Sequence, residues 1–303
     1  MATASFSLTP QQSSNALFQA WGSAVDGTFT TFGWVRTSDT GQINWATVPF
    51  PTVISTAQGY SIFRMNDSLQ STYPVFIKME YGGSANGAAN PAMWITIGTG
   101  SDGSGNITGV LKSRLQFNSY STGAAAQCYF SGSADRYCCN LWLNGSNSWN
   151  HFHISIERTK DASGTTTGTG LLFFSQTNVN VVAPIINSHY IPFSGTVPSS
   201  YNSWNCNIPG TELPATGGSY KNTAAPFAVK CWTPGESAPA TNFFLYLNSD
   251  FTYGNTYNIS LFDGAITGTY LFLQANTPAS IFGTSYTHRG YNGSAMSIAM
   301  RYE

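Results

Sequence analysis

The clearest candidates for chemistry in this sequence are His151 and His153, followed four residues later by Glu157. Imidazoles two apart on a strand project to the same side and can share a divalent ion. Glycines frame them in the spacing G-x5-H-x-H-x3-E-x6-G, from Gly145 to Gly164. A plainer reading uses the same alternation. Phe152, Ile154 and Ile156 would form the buried face of an amphipathic strand, and His151, His153, Ser155 and Glu157 its solvated face. Other catalytic arrangements are thinner. The acids are scattered singly (Asp26, Asp39, Asp67, Glu80, Asp102 and onward), no G-x-S-x-G elbow occurs, and no phosphate-binding P-loop is present.

The histidine segment resembles the first metal-binding motif of the cupin family, β-barrel proteins of jelly-roll type. The resemblance implies His151, His153 and Glu157 as ligands, with a later histidine as the fourth. His189 stands at the right distance from Pro184 for that role, but the second motif is broken. Ile186 and Phe193 replace its Gly and Asn, and Asn178 its leading Gly. With 30 glycines in the chain the Gly positions are cheap matches. The plainer reading is therefore adopted: no enzyme, no metal, no cofactor. The cupin-like metal-dependent enzyme is the least favoured alternative.

Aromatic residues offer a second possibility. Tyr201, Trp204, Tyr220 and Trp232 fall in or beside an irregular stretch, where rings are easier to expose for stacking on sugars. Trp34, Trp94 and Trp142 lie within strand patterns and are expected in the core. The five cysteines, at 128, 138, 139, 206 and 231, are an odd number without a CxxC pair. They are read as mostly reduced, buried small hydrophobes. Adjacent Cys138 and Cys139 would point to opposite faces of a strand.

The elements that must position these residues are set by composition. Only 8% of the 303 residues are charged, against about 25% in an average soluble protein. Gly, Ser, Thr and Asn together number 124, and aromatic residues make up 15%. Disorder is excluded by an apolar content of 42%. Twelve basic against 13 acidic residues leave no surplus for nucleic acid, and no apolar run approaches the ~20 residues of a membrane span. The start, MATASFSLTPQQSSNALFQAW, reads without a secretory signal. Net charge near zero is a weak guard against association, which suits a subunit built to assemble.

One short helix is expected in SSNALFQAWGSAV, capped by Ser13 or Ser14, with Leu17, Trp21 and Val25 on its buried face. Thereafter strands dominate. They are read in TFTTFGWVR (28–36), PVFIKMEY (74–81), HFHISIERT (151–159), LLFFSQ (171–176), APFAVKCW (225–232), NFFLYLN (242–248), TYNISLF (256–262), GTYLFLQ (268–274) and SAMSIAMRY (294–302). MWITIGTG (93–100) and ITGVL (107–111) form a hairpin across SDGSGN. The expected fold is all-β, a β-sandwich or jelly roll. A larger N-terminal β domain (1–180) and a smaller C-terminal one (225–303) would be joined by a Pro-, Gly- and Asn-rich junction (181–224).

Several phrases carry a wider resemblance. GTFTTFGWVRTSDTGQINWATV, YPVFIKMEYG, MWITIGTGSDGSGNITGVL, FHISIERTKDASGTTTGTGLLFF and the ending SIAMRYE are similar to a group of tailed-bacteriophage virion proteins. The resemblance implies a structural subunit of the particle, assembled in the host cytoplasm without export. The resemblance leaves the position in the particle open; a tail-associated place (baseplate, tail tip or fibre) is favoured, where symmetric interfaces would build a trimer or six-fold ring of its own copies in contact with other virion proteins. A head decoration protein and a module binding host surface glycan are the alternatives. No nucleic acid and no membrane insertion are expected.

Overall fold

A computed structural model describes residues 2–8, 14–84, 87–118, 126–142, 151–160, 165–176, 185–192, 226–228, 243–247, 256–261, 266–272 and 296–302. The described residues are mostly β-strand, with one helix near the start, α1 (Asn15–Thr31). Ser14 caps it, its hydroxyl oxygen accepting from the Leu17 N–H at 3.3 Å. Phe18, Trp21, Val25 and Phe29 follow at spacings of three and four and are buried, whereas Leu17 is 37% exposed. Phe18 thus takes the place expected of Leu17.

The helix also runs further than its sequence suggests. Thr28 to Thr31, expected to begin a strand, form its last turn. Local propensity is overridden by packing: the Phe29 ring stacks on Phe63 at 4.3 Å and on Tyr137 at 3.7 Å. The threonine hydroxyls adapt by bonding backward, Thr28 to the Val25 carbonyl and Thr30 and Thr31 to that of Gly27. Gly33, at φ +92°, then turns the chain.

Three antiparallel sheets are described. The first, in sequence order, contains β2 (Val35–Arg36), β3 (Ala57–Arg64), β4 (Phe76–Ser84), β5 (Gly87–Ser101) and β6 (Ile107–Asn118). The second places β1 (Ala2–Leu8) beside β7 (Ala126–Ser133) and continues through β8 (Arg136–Trp142), β9 (His151–Lys160), β10 (Thr166–Gln176) and β11 (Ile185–Pro192). The third has the order β12 (Pro226–Ala228), β13 (Phe243–Leu247), β16 (Met296–Arg301), β15 (Ile266–Phe272) and β14 (Thr256–Leu261). The hairpin expected at 93–111 is formed by β5 and β6. Of the expected junction, 185–192 pairs with β10 as β11, and the rest lies outside the described residues.

One apolar cluster joins α1 to the first two sheets. From β4 it takes Ile77, Met79 and Tyr81, and from β5 their partners Ile97, Ile95 and Met93. From the second sheet it takes Cys128, Phe130, Tyr137, Cys139, Leu141, Ile154 and Ile156. The Trp34 indole donates to the Ser133 carbonyl at 3.1 Å, tying the end of the helix to the β7–β8 turn. Gly132 lets the Phe32 ring approach, because a Cβ there would stand 2.4 Å from it. Among the described residues no helix is long and apolar enough to cross a membrane.

Candidate functional site

The histidine strand is β9, held between β8 and β10. His151 stands opposite Trp142, His153 opposite Asn140 and Ser175, Ser155 opposite Cys138 and Phe173, and Glu157 opposite Arg136 and Leu171. Residues directly opposite share a face, so the alternation read from sequence holds. Its expected exposure does not. Ser155 is 1% and Glu157 6% exposed, and the same face carries fully buried Ser131, Cys138 and Asn140. The strand is covered on both sides, and an alternating pattern reports only that two faces differ, not that one is wet. The Tyr302 ring, just beyond β16, meets the Tyr129 ring on this face at 6.3 Å.

His189 lies on β11 opposite Leu172, which in turn stands opposite Ile156. Register thus sets His189 in the Ile154–Ile156 rows and His151, His153 and Glu157 in the other. The imidazoles, with Gly145, Gly164 and Pro184, lie outside what is described, as do Tyr201, Trp204, Tyr220, Trp232, Cys206 and Cys231. Among the described residues no three His, Cys, Asp or Glu side chains are grouped so as to hold a metal ion.

Cys128, Cys138 and Cys139 are free and buried. Cys139 joins the apolar cluster, whereas the Cys138 sulfur lies 3.1 Å from the Ser155 hydroxyl on the opposite face. Burial pushes the Cys138 thiol up to about 12 and the other two well above their ordinary value. All three are thiols near neutrality and poor nucleophiles.

Two buried charges serve the frame. Asp26, on α1, accepts from the Trp45 indole at 2.7 Å, the Ser61 hydroxyl at 2.5 Å and the Tyr81 hydroxyl at 2.5 Å. Burial raises its pKa despite those donors and the nearby Arg36. Arg158, at the end of the Ile154–Ile156 row, makes a forked contact with the Asp67 carboxylate and donates to the Tyr73 carbonyl at 2.9 Å.

The more accessible groups lie on the face of the first sheet turned away from the cluster. Tyr60, Glu80 and Trp94 stand side by side on β3, β4 and β5. The Lys78 ammonium sits 4.7 Å from the centroid of the Tyr60 ring, and the Arg114 guanidinium 4.3 Å from that of Trp94. Glu80 lies between the cations, 3.1 Å from Arg114 Nε and 3.8 Å from Lys78 Nζ. Trp94 is buried as expected, but beneath Arg114 and not in the apolar cluster.

The turn between β5 and β6 is pinned beside this face. Asp39 accepts from the Ser101 hydroxyl at 2.9 Å and the Gly105 N–H at 3.2 Å, and the Thr40 N–H donates to the Gly103 carbonyl at 2.9 Å. Gly105, at φ +96°, is required there: a Cβ would fall 2.2 Å from the Tyr60 hydroxyl. Burial would raise the Asp39 carboxyl, but hydrogen bonds from Thr37, Ser101 and Gly105 outweigh it and hold the group below its usual range. The result is a pre-organised patch of rings and cations. Its sequence signal was the Phe76, Lys78, Glu80 side of PVFIKMEY, visible as alternation but silent about the partners on β3, β5 and β6.

Comparison with known proteins finds no matching family model, no similar curated protein and no similar solved structure.

Proposed function

We propose that the chain is a structural subunit of a tailed-phage virion, tail-associated in the baseplate, tail tip or fibre, working through symmetric contacts with its own copies and with neighbouring virion proteins. The observation that carries this reading is the patch of Tyr60, Lys78, Glu80, Trp94 and Arg114 on the outer face of the first sheet. Tyr and Arg are residue types enriched where protein interfaces concentrate their binding energy, and holding Tyr60 and Arg114 in place before contact, the latter on the buried Trp94 ring beneath it, lowers the ordering cost of association. The exposed Val110 at the neighbouring edge adds apolar area. The sparse charge of the chain and its similarity in phrase to phage virion proteins support the same reading.

The finer architecture belongs to this proposal. The first two sheets order most of their strands as meanders, which favours layers of a β-sandwich over a jelly roll, with residues 225–303 as a smaller C-terminal part.

Immunogold labelling of released particles with antibody to this chain is the test. Gold on tails is the expected result. Gold on capsids would replace the tail assignment with the head-decoration alternative. Particles without gold, alongside antibody-reactive soluble protein, would overturn the virion reading.

A further inference from the structure

Val53 and Ile54 are the two most exposed large apolar side chains among the described residues, at 53% and 55%. A lone aliphatic in water needs no explanation, but these two are adjacent and tip a turn that is fastened at both ends. Its stem is anchored on α1. The Phe50 N–H donates to the Asn15 amide oxygen, and the Gln19 amide to the Val48 carbonyl, each at 2.8 Å. Its far end is anchored on β4, where the Gly83 N–H donates to the Thr56 carbonyl at 3.1 Å and Ile54 bridges to Gly83. Glycine is required at this contact. A Cβ on Gly82 would fall 2.0 Å from the Thr56 carbonyl oxygen, and one on Gly83 2.3 Å from that of Val53. Ser55 meanwhile takes φ +55°, a left-handed backbone seldom adopted outside glycine. Two glycines and a strained serine thus hold two aliphatic side chains out in water.

We infer that this turn is a contact between copies of the chain, Val53 and Ile54 packing on the same turn of a second copy about a symmetry axis. Strain kept at an exposed apolar tip points to a recognition surface, and fixing that tip beforehand lowers the cost of association. Charge indicates the occupant. Around a symmetry axis a segment meets itself, so any charge on it would face its like. The sequence carries no charged residue from 40 to 63, which includes the turn, and none from 81 to 101, which includes its anchor on β4. The inference rests on the self-association proposed for the chain and not on its place in a virion, so the two can fail separately.

Sedimentation velocity of the full chain over a range of concentrations is the test. The parent is expected to self-associate, and Val53→Ser combined with Ile54→Ser to weaken that association at least about tenfold. Both positions are exposed, so the variant should keep the far-UV circular dichroism of the parent. A parent that stays monomeric, or a variant that associates as tightly, would overturn the inference. Thr52→Cys gives a second reading that does not depend on the double variant. Thr52 is exposed beside the tip, and its copies about the axis would come within disulfide reach. Oxidation should yield disulfide-linked dimers beyond those of the parent treated alike. Association without this cross-link would place the contact elsewhere on the chain and refute the packing of like on like.

Discussion

The two faces of the second sheet are buried alike and built of opposite materials. Toward α1 stand Phe130, Tyr137, Cys139, Leu141, Ile154 and Ile156; on the reverse stand Ser131, Cys138, Asn140, Ser155 and Glu157. Burial alone therefore does not mark where stability resides. Apolar area removed from water contributes about 25 cal/mol per Å², whereas a buried polar group that is hydrogen-bonded nets only about 0.5–1.5 kcal/mol after its loss of water. The first face is expected to hold the fold together, and the second to fix how something is fitted against it.

The sharpest way to break this contrast is to remove the ring at the centre of the apolar face. Tyr137 stacks on Phe29 at 3.7 Å, and its hydroxyl shares a hydrogen bond with Thr28 at 2.9 Å. Tyr137→Ala is expected to destabilise the protein by about 3–5 kcal/mol, measured by chemical denaturation. A loss below about 1 kcal/mol would show that the helix is not welded to this sheet. Next in size is Arg158→Leu, which strands the Asp67 carboxylate in a partly buried site and is expected to cost about 3 kcal/mol. Adding Asp67→Leu should restore part of that loss, since the double variant leaves no unpaired charge.

A smaller effect separates the charge under the helix from the polar face altogether. Asp26 has a raised pKa, so the folded protein holds that proton more tightly than the unfolded chain does. Its contribution to stability is complete below the unfolded value near 3.8 and is lost as pH rises through the folded value. Asp26→Asn keeps an oxygen for Trp45 and Ser61 and removes the charge. The variant should lack that decline, and its stability relative to the parent should grow with pH across the same window. A parent whose stability rises over that window would show that the three donors, and not burial, govern the group.

How far the sequence foretells these features depends on what each pattern reports. The hairpin at 93–111 was legible because turn formers at Asp102–Asn106 separate two strand-like runs. The sides of β9 were legible because Ile154 and Ile156 alternate with Ser155 and Glu157. Whether Ser155 and Glu157 are covered was not, since cover comes from residues remote in the chain. Thr28–Thr31 misled for a related reason: β-branched and aromatic types favour strands locally, but the rings of Phe63 and Tyr137 reward a helical Phe29. The outer patch lay beyond reach because Tyr60, Lys78, Glu80, Trp94 and Arg114 come from four strands, and no linear motif unites them.

Neighbouring residues on β9 give the finest comparison, because Ile154 and Ser155 are equally buried and differ only in the face they serve. Ile154→Ala opens a cavity beside α1 and should cost about 2–5 kcal/mol. Ser155→Ala removes one oxygen and leaves the Cys138 sulfur without that contact. A thiol is a weak donor and a weak acceptor, so it loses little when left alone. The expected cost is under about 1 kcal/mol, within the ordinary range for a single neutral hydrogen bond. Denaturation of the two variants side by side decides the matter. Equal losses would mean that both faces carry the fold, and that the serine belongs to a tightly coupled network. A large loss for Ile154→Ala beside a small one for Ser155→Ala would place the stability on the apolar face and leave the polar face free to set specificity.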